Sequence, residues 1–439
     1  MDFTQGRGGS SEASVQNGET SDMPRKYRFA DCFAGLGGFH VALERLGHEC
    51  VFACEIDEEL RQIYQSNFGL RPAGDIRRVK PEDVPPHEVL CAGFPCQPFS
   101  LAGKKKGAAC PDSGKLIDDV FRLVRHHLPQ YVLLENVPNI MTIADGSFWA
   151  YINGCFKRLG YCVEHKIYSP LQFGMPQQRL RLFVVARRDD APPFVWPDPK
   201  SIPVRPLSEF IGTAVDSLRQ IEPPKLALLE KWNRLLAKVP LNTSHTILAS
   251  EFGATYPLDG LPARRPWRNY AGAFGDPLGT ASDRETAIQR LPHYAAENGG
   301  VVPKWLQPYV MTSRRLYTQA PAFLDQWKCG MSSLPNSWQK LEWRGDRANQ
   351  NLWNHTVQFR ASGVRVMRTS MAPSLVAMTP TQTPIIGPKK RYLSVREAAS
   401  LQALEGLSVF PQNNERAFRA LGNAVNASIV HEVAKAVLR

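Results

Sequence analysis

The sequence predicts an α/β fold, in which a doubly wound, Rossmann-like sheet carries a second, smaller domain of irregular structure. Between residues 27 and 187, short apolar runs alternate with amphipathic stretches, the pattern of strands and crossover helices in a parallel sheet. A proline-dense stretch follows Arg188, and order returns only after about Lys390, with a helix capping box at Ser394 and Glu397. A chain of 439 residues is also long enough for two domains with separate hydrophobic cores.

The elements of the alternating region follow one another closely. The first strand leads into a glycine-rich turn and a helix that Gly47 ends, and the second strand leads into a helix with Leu60, Ile63 and Tyr64 on one face. Two further strand–helix pairs and a closing pair of strands complete the pattern. In order, the segments are YRFADCF, LGGFHVALERLG, CVFACEI, EELRQIYQSN, EVLCAG, KLIDDVFRLVRHH, YVLLEN, FWAYINGCFKRLG, CVEHKIY and LRLFVVAR.

Composition narrows the functional classes. No apolar run approaches the roughly 20 residues that a membrane-spanning helix needs, and the polar N-terminus lacks the apolar core of a signal peptide. The nine cysteines include no C-x-x-C pair, which argues against a zinc site or a disulfide framework. We therefore expect a reducing, cytoplasmic environment and no bound metal.

The formal charge of +12 is unevenly distributed. Residues 301–390 carry 12 Lys and Arg against 3 Asp and Glu, together with five of the nine tryptophans. Such a segment is either an ordinary solvated face or a surface for phosphate groups, and composition alone leaves both open.

A glycine-rich turn after the first strand indicates a site for an adenosine-containing cofactor. The turn, DCFAGLGGF, lets a ligand approach the backbone but lacks the G-x-G-x-x-G spacing of a dinucleotide fingerprint. Glu55 ends the next strand 20 residues after Gly35, where a carboxylate can accept both ribose hydroxyls. Asp75 can accept from an adenine amino group, with Ile76 against the ring. Because no phosphate-binding lysine is evident, these residues favour S-adenosylmethionine over ATP.

Three further groups of side chains lie at predicted strand ends. Cys96, in GFPCQPFS, follows a buried strand among turn-forming residues, which is a position for chemistry rather than for a structural core cysteine. Glu135 ends another strand, either as a cap or as a partly buried carboxyl with a raised pKa. Arg179 and Arg181 alternate along a strand, so they point to one face and either form structural ion pairs or grip a carbonyl or a phosphate.

With these motifs in order, the chain resembles the DNA (cytosine-5) methyltransferase family, in particular its bacterial restriction–modification members. The resemblance covers Phe29 to about Ala186 and Arg391 to Ser428, and the roughly 200 residues between lie where the family carries its target-recognition domain. The motifs are FADCFAGLGGF, EID, GDI, GFPCQPFSLAGKKKG, ENVPN, PQQRLR, RYLSVREAASLQ and ALGNAVNAS.

The resemblance implies a role for each chemical group. The Cys96 thiolate adds to C6 of a cytosine, which makes C5 nucleophilic towards the methyl group of S-adenosylmethionine. Glu135 hydrogen-bonds or protonates N3, Arg181 holds the O2 carbonyl, and Arg179 supports the site. Because this chemistry cannot occur inside a base stack, the cytosine must be flipped out, and the loop Ser100–Gly114 closes over it.

The resemblance also implies the cofactor contacts and the path of the chain. The C-terminal segment returns to pack beside the first strand, so a catalytic domain that is split in sequence is joined in space. The residues expected to contact S-adenosylmethionine are Phe33, Ala34, Gly35, Leu36, Gly38, Glu55, Ile56, Asp75, Ile76, Pro95, Leu116, Asn423, Ala424 and Val425.

These inferences divide the chain into four parts. We expect a disordered tail at residues 1–24, the N-terminal part of the catalytic and cofactor-binding domain at 25–190, a target-recognition domain at 191–388, and a C-terminal part at 389–439. The expected partner is double-stranded DNA in a bacterial cytoplasm, near the nucleoid, with a cognate restriction endonuclease acting separately. A monomer is expected, because chemistry on one strand needs one site. Candidate contacts to bases or phosphates are Arg314, Arg315, Arg344, Arg347, Arg360, Arg365 and Arg368.

The chain departs from the family pattern in two places. Where family members often have Asp-x-Arg-Gly-x-Leu, it reads PDSGKL and lacks the arginine, and where they usually have a Thr-Leu pair it has Ser374 and Leu375.

Two other functions stay open. An RNA methyltransferase on the same scaffold is disfavoured by GFPCQPFS and by the large insert. A DNA-binding protein without catalysis is disfavoured because all four chemical residues are present: Cys96, Glu135, Arg179 and Arg181.

Overall fold

The computed structural model of the protein describes residues 25–95, 116–199, 202–212, 218–375 and 382–438. Three expectations lie outside these residues: the nucleophile Cys96, the loop expected to close over the base, and the tail at residues 1–24. Among the helices that are described, none combines the length and the apolar character that a membrane crossing requires.

The first domain is built on a six-stranded, mostly parallel sheet. Its strands pair in the order β2-β1-β3-β4-β6-β5. The first four run parallel, β6 pairs antiparallel with β4, and β5 pairs antiparallel with β6. The sheet confirms the predicted Rossmann-like α/β fold. The strands are β1 (Arg28–Cys32), β2 (Glu49–Cys54), β3 (Val89–Ala92), β4 (Tyr131–Asn136), β5 (Tyr161–Tyr168) and β6 (Arg181–Arg188).

Helices connect the parallel strands and cover the sheet. Strands β3 and β4 are buried along their whole length, as expected for strands with helices on both faces. The second helix shows why these segments are helical: the Asp57 side chain accepts from the amides of Glu59 and Leu60, and Gly69 ends the helix in a left-handed conformation. The helices are α1 (Gly38–Glu44), α2 (Glu58–Phe68), α3 (Leu116–His127) and α4 (Ser147–Arg158).

The second domain is more regular than the sequence predicts. It contains a second six-stranded sheet, with strands in the order β12-β11-β9-β10-β8-β7. The strands are β7 (Thr246–Leu248), β8 (Leu341–Arg344), β9 (His355–Arg360), β10 (Gly363–Arg368), β11 (Ile385–Ile386) and β12 (Arg391–Tyr392). Three of them have only two or three residues, too few for a recognisable alternation, and β7 pairs with a strand more than 90 positions away. The last strand lies just beyond the boundary predicted at residue 388.

One face of this second sheet is covered by helices. Trp232 and Leu229 of α5 are fully buried, in one core with Trp343, Val357 and Val364 of the sheet. The indole Nε1 of Trp232 also donates to the backbone oxygen of Trp338, at 3.3 Å. The helices of this domain are α5 (Pro223–Lys238), α6 (Arg284–Gln289), α7 (His293–Ala296), α8 (Gln307–Gln319) and α9 (Pro321–Trp327).

The C-terminal segment returns to the first domain. It forms α10 (Val395–Ser400), α11 (Asn414–Asn423) and α12 (Ala427–Val437). Its residues and those of α1 and β1 share one hydrophobic core. At the closest approach, a Cβ placed on Gly38 would lie 2.4 Å from the backbone oxygen of Val425, so only glycine fits there. The first domain is thus formed by two segments that are distant in sequence and share one core.

Candidate active site

A cavity of about 650 Å³ opens at the carboxyl ends of the parallel strands, where open α/β sheets bind their ligands. Its walls come from the turns after β1, β2 and β3, from the end of β4, from the start of β6, and from the C-terminal segment. The cavity brings together most of the residues predicted from sequence: Phe33, Ala34, Gly35, Gly38, Glu55, Ile56, Pro95, Glu135, Arg179, Arg181, Asn423, Ala424 and Val425.

The glycine-rich turn holds one carboxylate firmly. Phe33, Gly35 and Gly37 have positive φ angles of 59°, 53° and 80°, which turn the chain sharply at the edge of the sheet. The turn brings the amide of Gly35 to 2.9 Å from one carboxylate oxygen of Glu55, while the other oxygen accepts from the amide of Asp57 at 2.9 Å. Burial raises the pKa of Glu55, although these two hydrogen bonds oppose the shift. The carboxylate is therefore fixed in place with lone pairs left for a ligand.

Four residues predicted to contact the cofactor do not line this cavity. Leu36 and Ile76 are 2% and 3% exposed, with their side chains in the cores of the domain. Leu116 begins α3 and packs half-buried against the second of those cores. The Asp75 carboxylate is bound by Arg77, with an Nη2–Oδ2 distance of 2.6 Å, and lines a neighbouring cavity. Ile56 lines both cavities, so the two are adjacent.

Glu135 and Arg181 form an ion pair in the cavity. The strands β4 and β6 are antiparallel, so the first residue of β6 lies near the last residues of β4. The Nε of Arg181 is 2.9 Å from Oε1 of Glu135, and the Glu135 side chain is only 9% exposed. Burial raises the pKa of Glu135 and outweighs the opposing charges of Arg181 and Arg179. A carboxyl of this kind can exchange a proton nearer to neutral pH than an exposed glutamate can.

Arg179 lies deeper and binds the backbone. Its guanidinium donates to the carbonyl of Leu375, to that of Gly422 at 2.6 Å and to that of Ala424 at 3.4 Å. Burial and the nearby Arg181 lower the pKa of Arg179 to about 9, which still leaves it charged at neutral pH. Arg179 lies two residues before β6 begins, not along the strand with Arg181 as predicted. It ties the segment before β6 to the end of the second domain and to the C-terminal segment. Its hydrogen bond to Leu375 also reaches the position where the chain lacks the usual Thr-Leu pair.

Sequence reasoning missed a buried polar group beneath the turn. Asp31, the fourth residue of β1, is fully buried; the Tyr64 hydroxyl donates to its Oδ2 at 3.4 Å, and Oδ1 has no partner among the described residues. Burial raises the pKa of Asp31 well above its usual range, and the nearby Glu55 adds to the shift. The Tyr64 hydroxyl is also 2.6 Å from Nδ1 of His40. A charged residue in an otherwise apolar strand was the available signal.

Two further positions were also missed. Asn136 donates to the backbone oxygen of Phe94 at 3.0 Å, and its Oδ1 accepts from the amide of Val137 at 2.8 Å. It therefore fixes the segment that leads into Cys96, and its place in ENVPN was the available signal.

The second position is Arg416, whose Nη2 lies 3.0 Å from Oδ2 of Asp57 across the rim of the cavity. Nothing in the local sequence pointed to that pair, since its members are 359 positions apart.

Comparison with known proteins agrees with the motifs. The family model of the C-5 cytosine-specific DNA methylases matches residues 27–252. The Type II methyltransferase M.HhaI of Haemophilus parahaemolyticus is 42% identical over 163 residues, which are 37% of this chain and 50% of that protein. The match thus spans about half the length of that relative. The Type II methyltransferase M.AluI of Cellulosimicrobium cellulans is 28% identical over 94% of this chain and 92% of its own length.

Among solved structures, the Entamoeba histolytica methyltransferase EhMeth has a similar fold. It aligns with a TM-score of 0.50 and 14% identity, over 94% of this chain and 98% of its own. The fold, the ordered motifs and the match over more than half of the chain lead to one conclusion: the protein is a member of the C-5 cytosine-specific DNA methylase family.

Proposed function

We propose that the protein is a DNA (cytosine-5-)-methyltransferase that acts on a cytosine flipped out of duplex DNA. The observation that carries the proposal is the buried Glu135–Arg181 pair in a cavity that Pro95, the residue before Cys96, also lines. A carboxyl group, a guanidinium and a cysteine are what addition to a pyrimidine ring requires: a proton donor, a carbonyl ligand and a nucleophile.

The residues of the cavity suit S-adenosylmethionine as the cofactor. Glu55, held by two backbone amides, offers its remaining lone pairs to ribose hydroxyls. The side chains of Phe33, Ile56 and Leu60 give an apolar wall for a nucleoside. Gly35 keeps the backbone of the turn accessible, because it has no side chain that would cover it. When bound, S-adenosylmethionine supplies an electrophilic methyl group.

Glu135 and Arg181 act on the pyrimidine ring. As a thiolate adds to C6, negative charge builds up on N3 and O2 of the cytosine. A protonated Glu135 donates to N3, and its raised pKa makes that proton available near neutral pH. Arg181 donates to O2 while its Nε keeps Glu135 in place. Arg179 has its donors bound to backbone carbonyls, so its part is to hold the segments of the site together.

Cys96 is the proposed nucleophile. Its thiolate would form a bond to C6 as N3 takes up a proton from Glu135, and C5 would then displace S-adenosylhomocysteine from the methyl group. Loss of the C5 and N3 protons would restore the C5–C6 double bond and release the Cys96 thiolate. The family resemblance assigns no single side chain as the base for the C5 proton, and solvent can serve. Glu135 and Arg181 fix the ring, and Asn136 fixes the backbone at Phe94, two residues before Cys96 in the sequence.

The second domain is the part of the protein that we propose binds duplex DNA. The second domain carries most of the excess positive charge, which suits the phosphates of duplex DNA. We propose that it recognises a short sequence and that the enzyme protects host DNA in a restriction–modification system. A cognate endonuclease would act separately on the same sequence, and the methyltransferase would work as a monomer in the bacterial cytoplasm.

Methyl transfer from tritiated S-adenosylmethionine tests the proposal. Duplex DNA of mixed sequence and tRNA are the two substrates, and Cys96→Ser is compared with Cys162→Ser, which changes an exposed cysteine of β5. We expect label in DNA that disappears with Cys96→Ser and persists with Cys162→Ser. Label in tRNA alone would replace the proposed substrate. Label in neither nucleic acid, with genomic DNA included, would refute the activity.

A further inference from the structure

The sheet of the second domain has one apolar face and one polar face. In β8, β9 and β10 the residues alternate: Trp343, Val357 and Val366 are buried in the core, while their neighbours point to the other side. The register brings those neighbours together, since Arg365 lies opposite both Gln358 and Glu342. The residues of the polar face are Glu342, Arg344, Gln358, Arg360, Arg365 and Met367.

The polar face lines a cleft of about 580 Å³. On its other side the cleft is lined by Gln178, Ala372 and Ser374. Gln178 immediately precedes Arg179, and Ala372 forms a bridge with Gln177, so the cleft adjoins the candidate active site. A ligand on the polar face would thus lie next to a base bound by Glu135 and Arg181.

The cleft is cationic because Arg344, Arg360, Arg365 and Arg368 line it, and no carboxylate is among the described residues of its lining. Glu342 accepts from Nε of Arg344 at 2.6 Å and from Nε of Arg365 at 2.7 Å. Burial alone would raise the pKa of Glu342, but Arg365 and Arg344 outweigh it and lower that pKa. Glu342 therefore stays charged at neutral pH and holds the two arginines in place.

Arg360 differs from these two arginines. Its nearest carboxylate oxygen, on Glu342, is 4.0 Å from Nη1, which is beyond hydrogen-bonding distance. Its side chain is 34% exposed, and in the described part of the chain its guanidinium donates no hydrogen bond. Arg360 also ends β9 at the tip of a hairpin, where only two residues separate it from β10. Its donors are thus presented to the cleft, ready for a ligand.

Not every arginine of this domain is presented in this way. Arg314, a candidate DNA contact from sequence, donates from Nε to the fully buried Glu251 at 2.9 Å and from Nη1 to the carbonyl of Tyr256 at 2.8 Å. Its role is structural, because Glu251 would otherwise be buried without a positive partner. Arg344 and Arg365 are each anchored at Nε by Glu342, whereas the guanidinium of Arg360 donates no hydrogen bond to any residue that the structure describes.

We propose that the β9–β10 hairpin enters the major groove of the target duplex and that Arg360 reads a guanine there. The inference rests on the proposed function and adds to it a requirement for the target: a G·C pair other than that of the methylated cytosine. A two-stranded ribbon fits the major groove, and the fork of an arginine matches O6 and N7 of guanine. Glu342 acts as a positioning residue, because it accepts hydrogen bonds from Arg344 and Arg365 and so holds both side chains next to Arg360.

The test begins with the wild-type enzyme. Bisulfite sequencing of methylated mixed-sequence DNA gives the target, which we expect to contain the additional G·C pair. Replacing that guanine by 7-deazaguanine removes the N7 acceptor and should lower kcat/KM roughly 5- to 150-fold. A target without such a pair, or indifference to every 7-deazaguanine substitution, would overturn the inference without touching the proposed function. Absence of methyl transfer to any DNA would instead refute the proposed function itself.

The second arm uses variants. Arg360→Gln should reduce the preference for guanine at one position by a similar factor, tolerate 7-deazaguanine there without further loss, and melt at the temperature of the wild type. Arg234→Gln is the matched control, because Arg234 is exposed on α5, which covers the opposite face of the sheet. Arg360→Gln could instead weaken binding equally for all sequences and lower the slope of log K against log salt concentration by about one. Arg360 would then be a phosphate contact, and the inference would fail.

Discussion

The Nε of Arg181 lies 2.9 Å from Oε1 of Glu135, at the bottom of a cavity formed by segments from both ends of the chain. Two opposing effects act on the pKa of Glu135 in this pair. Burial favours the protonated form of Glu135, whereas the guanidinium favours the ionised form, and the result is a raised pKa. The carboxyl is thus able to donate a proton and yet is held in one orientation.

Glu135→Gln should reduce the rate of methyl transfer by roughly 100- to 10,000-fold, the usual contribution of a positioned proton donor. Glutamine keeps an acceptor for Arg181 and an N–H towards the base, so binding of S-adenosylmethionine and the melting temperature should change little. Single-turnover kinetics measure the effect, with Glu82→Gln on an exposed turn as the control. An equal loss in both variants would mean that Glu135 has no special role.

Asp31→Asn tests the buried acid beneath the glycine-rich turn. With its pKa raised by burial, folded Asp31 keeps its proton at pH values where the unfolded chain has lost it. The wild type therefore loses stability as the pH rises above about 4 and up to the folded pKa, whereas the asparagine variant does not. The melting temperature of the variant minus that of the wild type should increase between pH 5 and pH 8. A difference independent of pH, as for the exposed control Asp83→Asn, would contradict this assignment.

Arg179→Lys should lower the free energy of unfolding by about 3 kcal/mol, because a lysine cannot reach all the carbonyls that the guanidinium binds and leaves buried acceptors unpaired. Urea unfolding measures the loss, and Arg125→Lys, at an exposed position of α3, serves as the control. A variant with unchanged stability but impaired catalysis would indicate that Arg179 contacts the substrate instead.

Gly38→Ala should weaken binding of S-adenosylmethionine and lower the melting temperature, since the new Cβ would lie 2.4 Å from the Val425 oxygen and force the C-terminal segment outwards. Gly406→Ala is a matched control, because a Cβ there meets no atom within 4 Å. Isothermal titration calorimetry and thermal melting give the two readouts. Equal behaviour of both alanine variants would show that the close approach is not needed.

The parts of the fold that follow local rules could be predicted from the sequence. The alternation of strands and helices, the glycine-rich turn and Glu55 at the end of the next strand depend on residues close together in the chain. The role of Asp75 stays a prediction: its carboxylate is bound by Arg77, two positions away, and lines the cavity next to the main one. Leu36 lies in a turn whose direction places its side chain in the core, which the sequence alone does not reveal.

Features that depend on distant partners could not be predicted. The carbonyls bound by Arg179 are 196 to 245 positions away along the chain, so no local pattern points to them. The second sheet consists of short strands from distant segments, and its arginines look alike in sequence. Only their partners separate Arg314, which is bound by Glu251, from Arg360, whose donors remain uncommitted.

The contact between Gly38 and Val425 has a consequence for biosynthesis. These two residues are 387 positions apart, and at about 5–20 residues per second a ribosome needs roughly 20–80 seconds to pass from one to the other. Once Glu135 has been synthesised, the nascent chain carries the glycine-rich turn, Cys96 and Glu135 but still lacks the part of the cavity wall that Val425 contributes. The cavity can therefore close only after Val425 has been synthesised, and until then the apolar surface of the first domain that α12 covers stays exposed.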